Sequence, residues 1–308
     1  MKVFTDIHDC NINNPVVTLG SFDGVHKGHL KVLSRLKEIA QKTGGESVIL
    51  TFSPHPRQVL YPDEQMVQLL NTKEEKIALL EKAGVDNIIF YPFTKEFSKM
   101  SYSEFVKDVL IGELGMKYLV VGYDHRFGSN REGDFSQLSE LSKELGFAIE
   151  KEEAFNLHDV NISSTKIRNA LSIGDVKVAR EYLGYNYCLE GTVVDGQKLG
   201  RKIGFPTANI DILDKDKLIP ASGVYAVLVE IDGKEYQGML NMGMRPTVSN
   251  ASNFNIEVNI FSFHKEIYGE KVKVSFVDRI RGERKFDNLE ELKAQLAEDK
   301  EKSIKILE

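Results

Sequence analysis

Cysteine is scarce in this 308-residue chain: there are two, Cys10 and Cys188. They lie far apart and lack metal-type spacing. That excludes a disulfide framework and a cysteine-built metal site, and it fits a reducing, cytoplasmic setting. Long apolar runs are missing too. None approaches the roughly 18 residues that would span a membrane, and the opening Met1-Lys2-Val3-Phe4-Thr5-Asp6 has no signal-peptide apolar region. Basic charge is not in excess: 40 Lys and Arg stand against 46 Asp and Glu, a net charge of −6. This argues against a nucleic-acid partner or a membrane surface and leaves room for a local basic pocket. No Gly-x-Gly-x-x-Gly follows a strand, so the dinucleotide fingerprint is absent. Gly191 and Gly196 begin a P-loop spacing, but Gln197 and Lys198 follow where Lys and then Ser or Thr are required. Internal repeats and low-complexity stretches are absent. What remains is the composition of an ordinary globular protein, 42% hydrophobic and 28% charged, long enough for about two domains.

The most informative stretch is Gly20-Ser21-Phe22-Asp23-Gly24-Val25-His26-Lys27-Gly28-His29. An apolar run, Val16 to Leu19, leads in. A helical pattern of Leu30, Leu33, Leu36 and Ile39 leads out. The segment therefore reads as strand, glycine-rich turn and helix start. A helix N-terminus with unpaired N–H groups is suited to phosphate, and His26 and His29 add donors whose charge can respond to an anion. Two plainer readings stay open: a surface turn with solvated histidines, and a zinc site that would need His55 as a third ligand.

From about 15 to 184 strands and helices alternate. Strands are expected at 16–20, 46–52, 87–92, 117–122 and 147–152. Helices are expected at 28–43, 72–83, 102–114, 135–145, 164–172 and 175–183. Such alternation predicts a parallel sheet covered on both faces, with ligands at the carboxyl ends of the strands. Polar loops follow those ends: Pro54-His55-Pro56, where two prolines stiffen the chain around His55, and Asp124-His125-Arg126-Phe127-Gly128. Ser163-Ser164-Thr165-Lys166-Ile167-Arg168 precedes the next helix, with Ser163 or Ser164 as its cap and hydroxyls and cations suited to phosphate.

Near 184–187 the pattern changes to strands without helices, at 188–194, 223–231, 235–241, 255–262 and 271–277, which predicts a small antiparallel barrel or sandwich. A helix over 288–298 closes the pattern, and 299–308 is expected to fray. In Gly200-Arg201-Lys202-Ile203-Gly204-Phe205-Pro206-Thr207-Ala208-Asn209, Thr207 and Asn209 face one way in extended chain, as ligands of a hydrated Mg²⁺ would. Glu257 lies in an alternating strand. It either faces water or points inward as a general base.

These segments resemble, almost end to end, the prokaryotic bifunctional riboflavin kinase/FAD synthetase family. The first half matches at 20–29, 54–56, 124–128 and 162–168. The second matches at 200–209, 223–225, 241–247 and 281–286. The resemblance implies an α/β protein in two domains. Residues 1–184 would be a Rossmann-like parallel-sheet FMN adenylyltransferase of the nucleotidyltransferase type. Residues 185–308 would be a riboflavin kinase built as a six-stranded antiparallel β-barrel with a terminal helix. It implies riboflavin, FMN and ATP as substrates and Mg²⁺ as cofactor, and a weak homo-oligomer is compatible with it. By the same resemblance His26, His29 and His55 serve the reacting phosphates. Gly20, Phe22, Asp23, Gly24, Asp124, Ser163, Ser164, Thr165 and Arg168 hold ATP in the first half, and Gly200, Arg201, Lys202 and Gly204 in the second. Thr207 and Asn209 hold the metal, Glu257 is the base, and Asn241, Arg245 and Arg281 contact the flavin. Three positions depart from the family pattern. Ser21 stands where Asn is usual, His125 where Phe is usual, and Asn259 where His is usual, two residues from the base. Two rivals follow: an adenylyltransferase whose kinase half is impaired, and a non-catalytic flavin or nucleotide sensor.

Overall fold

The computed structural model describes residues 1–61, 68–123, 127–128, 132–157, 160–196, 199–212, 214–244 and 254–308. Packing divides the chain into two compact units, Met1–Ser164 and Thr165–Glu308.

The first unit is built on a six-stranded sheet. Its strands are β1 (Lys2–Phe4), β2 (Val16–Leu19), β3 (Ser47–Ser53), β4 (Asn87–Pro92), β5 (Tyr118–Gly122) and β6 (Ala148–Glu152). They run parallel in the order β1-β4-β3-β2-β5-β6. The strands at the centre are apolar on both faces. Val17, Leu19, Val48 and Leu50 pack into one core, and Val16, Ile49 and Ile88 into the other. That is why they read as continuous hydrophobic runs. Chain order reverses beside β2, because β3 and β4 lie on one side of it and β5 and β6 on the other. The carboxyl end of β2 is therefore the switch point where open α/β sheets bind ligands. The chain leaves that end into α1 (Lys27–Thr43), which buries Leu33, Leu36 and Ile39. Leu30, expected on the same face, is exposed because it belongs to the helix's first turns, outside the packed stripe.

The remaining helices of this unit are α2 (Pro56–Leu60), α3 (Lys73–Lys82), α4 (Tyr102–Glu104) running into a π-helical stretch (Phe105–Glu113), and α5 (Phe135–Leu145). The edge strand β1, the short α2, and the hairpin of β7 (Asn156–Leu157) and β8 (Val160–Asn161) carry too few residues to show a period, and the sequence reading lacks them.

The boundary falls one residue into α6 (Ser164–Ser172), so the second unit opens with the rest of α6 and with α7 (Val176–Leu183). Both dock on the strands that follow. Arg279 donates to the carbonyls of Ile173 (2.8 Å) and Ser222 (2.7 Å), and the amide of Ala221 donates to Leu171 (2.9 Å). The strands are β9 (Cys188–Val194), β10 (Ala208–Asp211), β11 (Gly223–Ile231), β12 (Lys234–Met244), β13 (Phe254–Ile260) and β14 (Lys271–Arg281). They close as a barrel in the order β10-β13-β12-β11-β14-β9. The four-residue β10 closes it, and its absence from the strand pattern is what left barrel and sandwich undecided.

One expectation is overturned. Residues 299–308 do not fray, since α9 runs from Leu289 to Leu307. Asp299 and Ser303 are fully buried. Asp299 receives a two-pronged hydrogen bond from Arg281 on β14, at 2.8–3.1 Å. Gln237 donates to the carbonyl of Leu307. A charged-looking tail thus supplies a polar seam to the barrel. No helix among the described residues is long and apolar enough to cross a membrane.

Candidate active sites

The first site grows from the turn between β2 and α1. Phe22 and Val25 have φ of 46° and 34°, a left-handed backbone unusual for such side chains. Strain of this kind persists only where surrounding contacts fix it, and it gathers at functional sites. Those contacts are present. Asp23 is buried, and its carboxylate accepts from the amides of Leu70 (2.9 Å) and Asn71 (3.3 Å). The Asp23 carbonyl accepts from the Ser164 hydroxyl at 2.8 Å, which brings the 163–164 segment to the loop. Lys76 on α3, buried, donates to the Ser21 carbonyl at 2.7 Å.

His26 caps α1: its Nδ1 accepts from the amide of His29 at 3.2 Å. The two rings stack with centroids 3.6 Å apart, and Phe22 leans on His29 at 4.9 Å. Gly28 permits this approach, since a Cβ there would stand 3.1 Å from the His26 ring. Burial pushes His26 down to about 4 from its ordinary 6.5. Burial, then the neighbouring His26 and Lys76, push His29 well below the usual range. Both imidazoles are therefore neutral at pH 7, so they meet an incoming anion as neutral donors. Because Nδ1 of His26 is an acceptor, its proton sits on Nε2, a donor for an incoming oxygen.

His55 does not join a metal triad. It caps α2, with Nδ1 accepting from the Arg57 amide and its own amide donating to Gln58. Among the described residues no three His, Cys, Asp or Glu are grouped to hold a metal. Ser163 directly precedes α6, and Thr165 and Arg168 lie on it. Asp124, with His125 and Arg126, and Arg245 lie outside the described residues, as does the Lys202 side chain.

The second site lies on the barrel. Strand register places Asn209 opposite Glu257 on β10 and β13, and Glu257 opposite Asn241 on β13 and β12. Opposed residues share a face, so the three form one polar row. Glu257 is held by two donors. The Thr207 hydroxyl reaches Oε2 at 3.0 Å and the Asn255 amide reaches Oε1 at 2.6 Å. A threonine that donates its proton to a carboxylate keeps its lone pairs for a cation. Beside it, Oδ1 of Asn209 is buried with no hydrogen-bond partner among the described residues. Gly196 makes room for that amide, since a Cβ there would lie 2.0 Å from Nδ2. The Asn259 amide donates to the Pro206 carbonyl at 2.6 Å and so braces the residue before Thr207.

Next to Thr207 a cleft is lined by Arg201, Val258, Phe263, Ile267 and Tyr268. Arg201 pairs with Glu266 across it at 3.3 Å. Gly200 lies in a short helix, α8 (Leu199–Lys202), and Gly204 follows with φ of 89°. Arg281 sits on Asp299 rather than on the polar row. The sequence reading missed Lys76, Asn255 and the 263–268 segment. Lys76 hides in the charged run Lys73-Glu74-Glu75-Lys76, which looks solvated. Its one signal is Thr72 with Glu75, a capping box that fixes the helix start and so the face on which Lys76 lies.

Comparison with known proteins also finds two parts in the chain. Residues 9–166 match the family model for FAD synthetase, and 183–307 the model for riboflavin kinase. The bifunctional riboflavin kinase/FMN adenylyltransferase of Bacillus subtilis is 38% identical over 94% of this chain and 92% of its own. The protein of that name from Escherichia coli is 36% identical over 97% and 96%. A crystal structure described as a macrolide-efflux protein from Streptococcus pneumoniae superposes with a TM-score of 0.89, at 33% identity over 97% of both chains.

Proposed function

Because this chain belongs to the bifunctional riboflavin kinase/FMN adenylyltransferase family, we propose that its two sites divide two successive ATP-dependent steps between them. The chain phosphorylates riboflavin to FMN, releasing ADP, and adenylylates FMN to FAD, releasing pyrophosphate. The barrel row performs the first step and the β2–α1 loop the second. The observation that carries the division is the Thr207–Glu257 hydrogen bond beside the orphaned oxygen of Asn209. It supplies a base and two metal-ready oxygens on the barrel, whereas the β2–α1 loop presents the His26–His29 pair.

In the kinase step the 5′-hydroxyl of the ribityl chain attacks the γ-phosphorus of ATP and gives up its proton to Glu257 as ADP leaves. Thr207 and Asn255 orient that carboxylate while leaving it lone pairs for the proton. Thr207 and Asn209 fit Mg²⁺, a hard cation that takes oxygen ligands, and Mg²⁺ would neutralise phosphate charge there. Asn241 and Arg245 serve the flavin. Gly200, Arg201, Lys202 and Gly204 serve ATP, and the aromatic and aliphatic cleft beside Thr207 takes its adenine. Arg281, which the resemblance assigns to the flavin, also anchors the α9 seam.

In the adenylyl step an FMN phosphate oxygen attacks the α-phosphorus, and the bond to the β-phosphate breaks. The α1 N-terminus and the Nε2 proton of His26 meet the phosphate oxygens. Ser163, Ser164, Thr165 and Arg168 at the head of α6 hold the triphosphate, with Asp124 in the nucleotide region and His55 near the reacting phosphates. The functional halves are 1–184 and 185–308. Residues 165–184 belong to the first by chemistry although they pack with the second. The protein works in the cytoplasm on small substrates.

The test is product analysis over time with riboflavin, ATP and Mg²⁺, run on the wild type, Glu257→Ala and His29→Ala. FMN should precede FAD. Glu257→Ala should stop FMN formation and spare FAD formation from added FMN, and His29→Ala should do the reverse. Loss of both activities in either folded variant would refute the division.

A further inference from the structure

The adenylyl loop carries an electrostatic problem. Its substrates are polyanions, yet Asp23, a buried carboxylate, is part of the loop, and the histidine pair brings no positive charge. The Ser21 carbonyl adds a further negative dipole at the same turn. Uncompensated, these would repel phosphate from the place the fold offers it.

Lys76 is the group that answers this. It comes from α3, a different element, and only 8% of it is exposed. Its ammonium is tied to the Ser21 carbonyl at 2.7 Å; burial pushes its pKa below the ordinary lysine value, and Asp23, an opposite charge, works against that and favours the charged form. The helix carrying it is fixed at both neighbouring points. Thr72 and Glu75 close a capping box around the helix start, and the preceding amides of Leu70 and Asn71 donate to Asp23 itself. The carboxylate of Glu75 is turned to the Thr72 amide. So the same turn that anchors α3 to Asp23 delivers a cation beneath the loop. Burying an ammonium is unfavourable, and a mere tether for one carbonyl would not require a charge.

We propose that Lys76 is a positioning residue for adenylyl transfer, supplying the fixed positive charge that balances Asp23 and holds the Ser21 carbonyl so that the β2–α1 loop accepts the phosphates of ATP. This rests on the assignment of adenylyl transfer to the His26–His29 loop. The role differs from simple packing, because it needs the charge and not only the hydrogen bond.

The experiment compares Lys76→Gln, which can still donate to Ser21 without charge, with Lys76→Arg, which keeps the charge. It uses the full chain, with FMN, ATP and Mg²⁺ as substrates. FAD formation by Lys76→Gln should fall by about 30-fold in kcat/KM for ATP, most of it in KM, while Lys76→Arg should stay within about threefold of wild type. Conversion of riboflavin to FMN should be unchanged in both. Lys76→Gln with wild-type kcat/KM would overturn the proposal. So would Lys76→Arg falling as far as Lys76→Gln at an unchanged Tm. A second measurement needs no variant: the ¹⁵Nζ signal of Lys76 in the wild type should shift on adding pyrophosphate and Mg²⁺, and an unmoved signal would overturn the proposal even if Lys76→Gln does not fold. His29→Ala serves as the reference. If it leaves FAD formation intact, the site assignment has failed. If it abolishes FAD formation and Lys76→Gln does not, only the role of Lys76 has failed.

Discussion

Acidification should destabilise the first unit through His26, by an amount the geometry sets. The imidazole is buried at the cap of α1, with Nδ1 committed to the His29 amide and a second ring stacked against it. Its pKa lies at about 4 in the folded chain against 6.5 unperturbed. Between those values the unfolded chain binds a proton that the folded chain refuses. Stability therefore falls as pH drops below 6.5 and levels off below about 4. The whole difference of 2.5 pH units, 6.5 less 4, corresponds to about 3 kcal/mol, and about 2 kcal/mol of it is lost by pH 5. His29 shifts the same way and adds to the loss. The assay is urea unfolding from pH 7.5 to 5, read by a probe in β2 or β3, on the wild type and on His26→Gln. Other carboxylates titrate in both proteins and cancel in the difference. The stability advantage of the wild type over the variant should shrink by about 2 kcal/mol across that range. A difference that stays constant with pH would refute the reasoning, as would an NMR titration placing the His26 midpoint near 6.5. Bound ATP should raise the midpoint, because a phosphate beside Nε2 favours the charged ring.

Glu257→Gln keeps the shape of the barrel row and removes the proposed base, so FMN formation should fall by about 10²- to 10⁴-fold while FAD formation from supplied FMN persists, as a two-substrate assay would show. Asn209→Ala removes the buried oxygen that lacks a partner, and the Mg²⁺ concentration for half-maximal FMN formation should rise by about tenfold or more. Asp299→Ala strands Arg281 on β14 and should cost about 3–5 kcal/mol, seen as a lowered melting transition of the kinase half.

The sheet and most of the barrel are legible because their strands are apolar by period. Val16-Val17, Val48-Ile49-Leu50 and Leu119-Val120-Val121 are buried on both faces, and the helices between them show a packed stripe. What escapes is whatever gets its meaning from another element. Strand β10 is four residues long, and only its pairing with β9 and β13 makes it the closing strand. Asp299 looks like part of a solvated run until Arg281 meets it from eighteen positions away. Lys76 looks solvated until the loop of Ser21 and Asp23 folds over it. The charge state of the histidines follows from burial, which motif spacing does not report.

That charge state bears on why the two sites are built differently. An FMN phosphate is already ionised near neutral pH, its second pKa being about 6. The adenylyl step therefore has no proton to remove from its nucleophile, and a neutral imidazole that donates from Nε2 is sufficient. A charged pair would add attraction but would have to be buried against Lys76, at an electrostatic cost. The ribityl hydroxyl of riboflavin is a neutral alcohol and must lose its proton as it attacks. A carboxylate with both oxygens oriented, as Glu257 is by Thr207 and Asn255, answers that need. The contrast follows from the nucleophiles alone. On this reading, a carboxylate base moved to the loop would add a negative charge beside the phosphates and repel them.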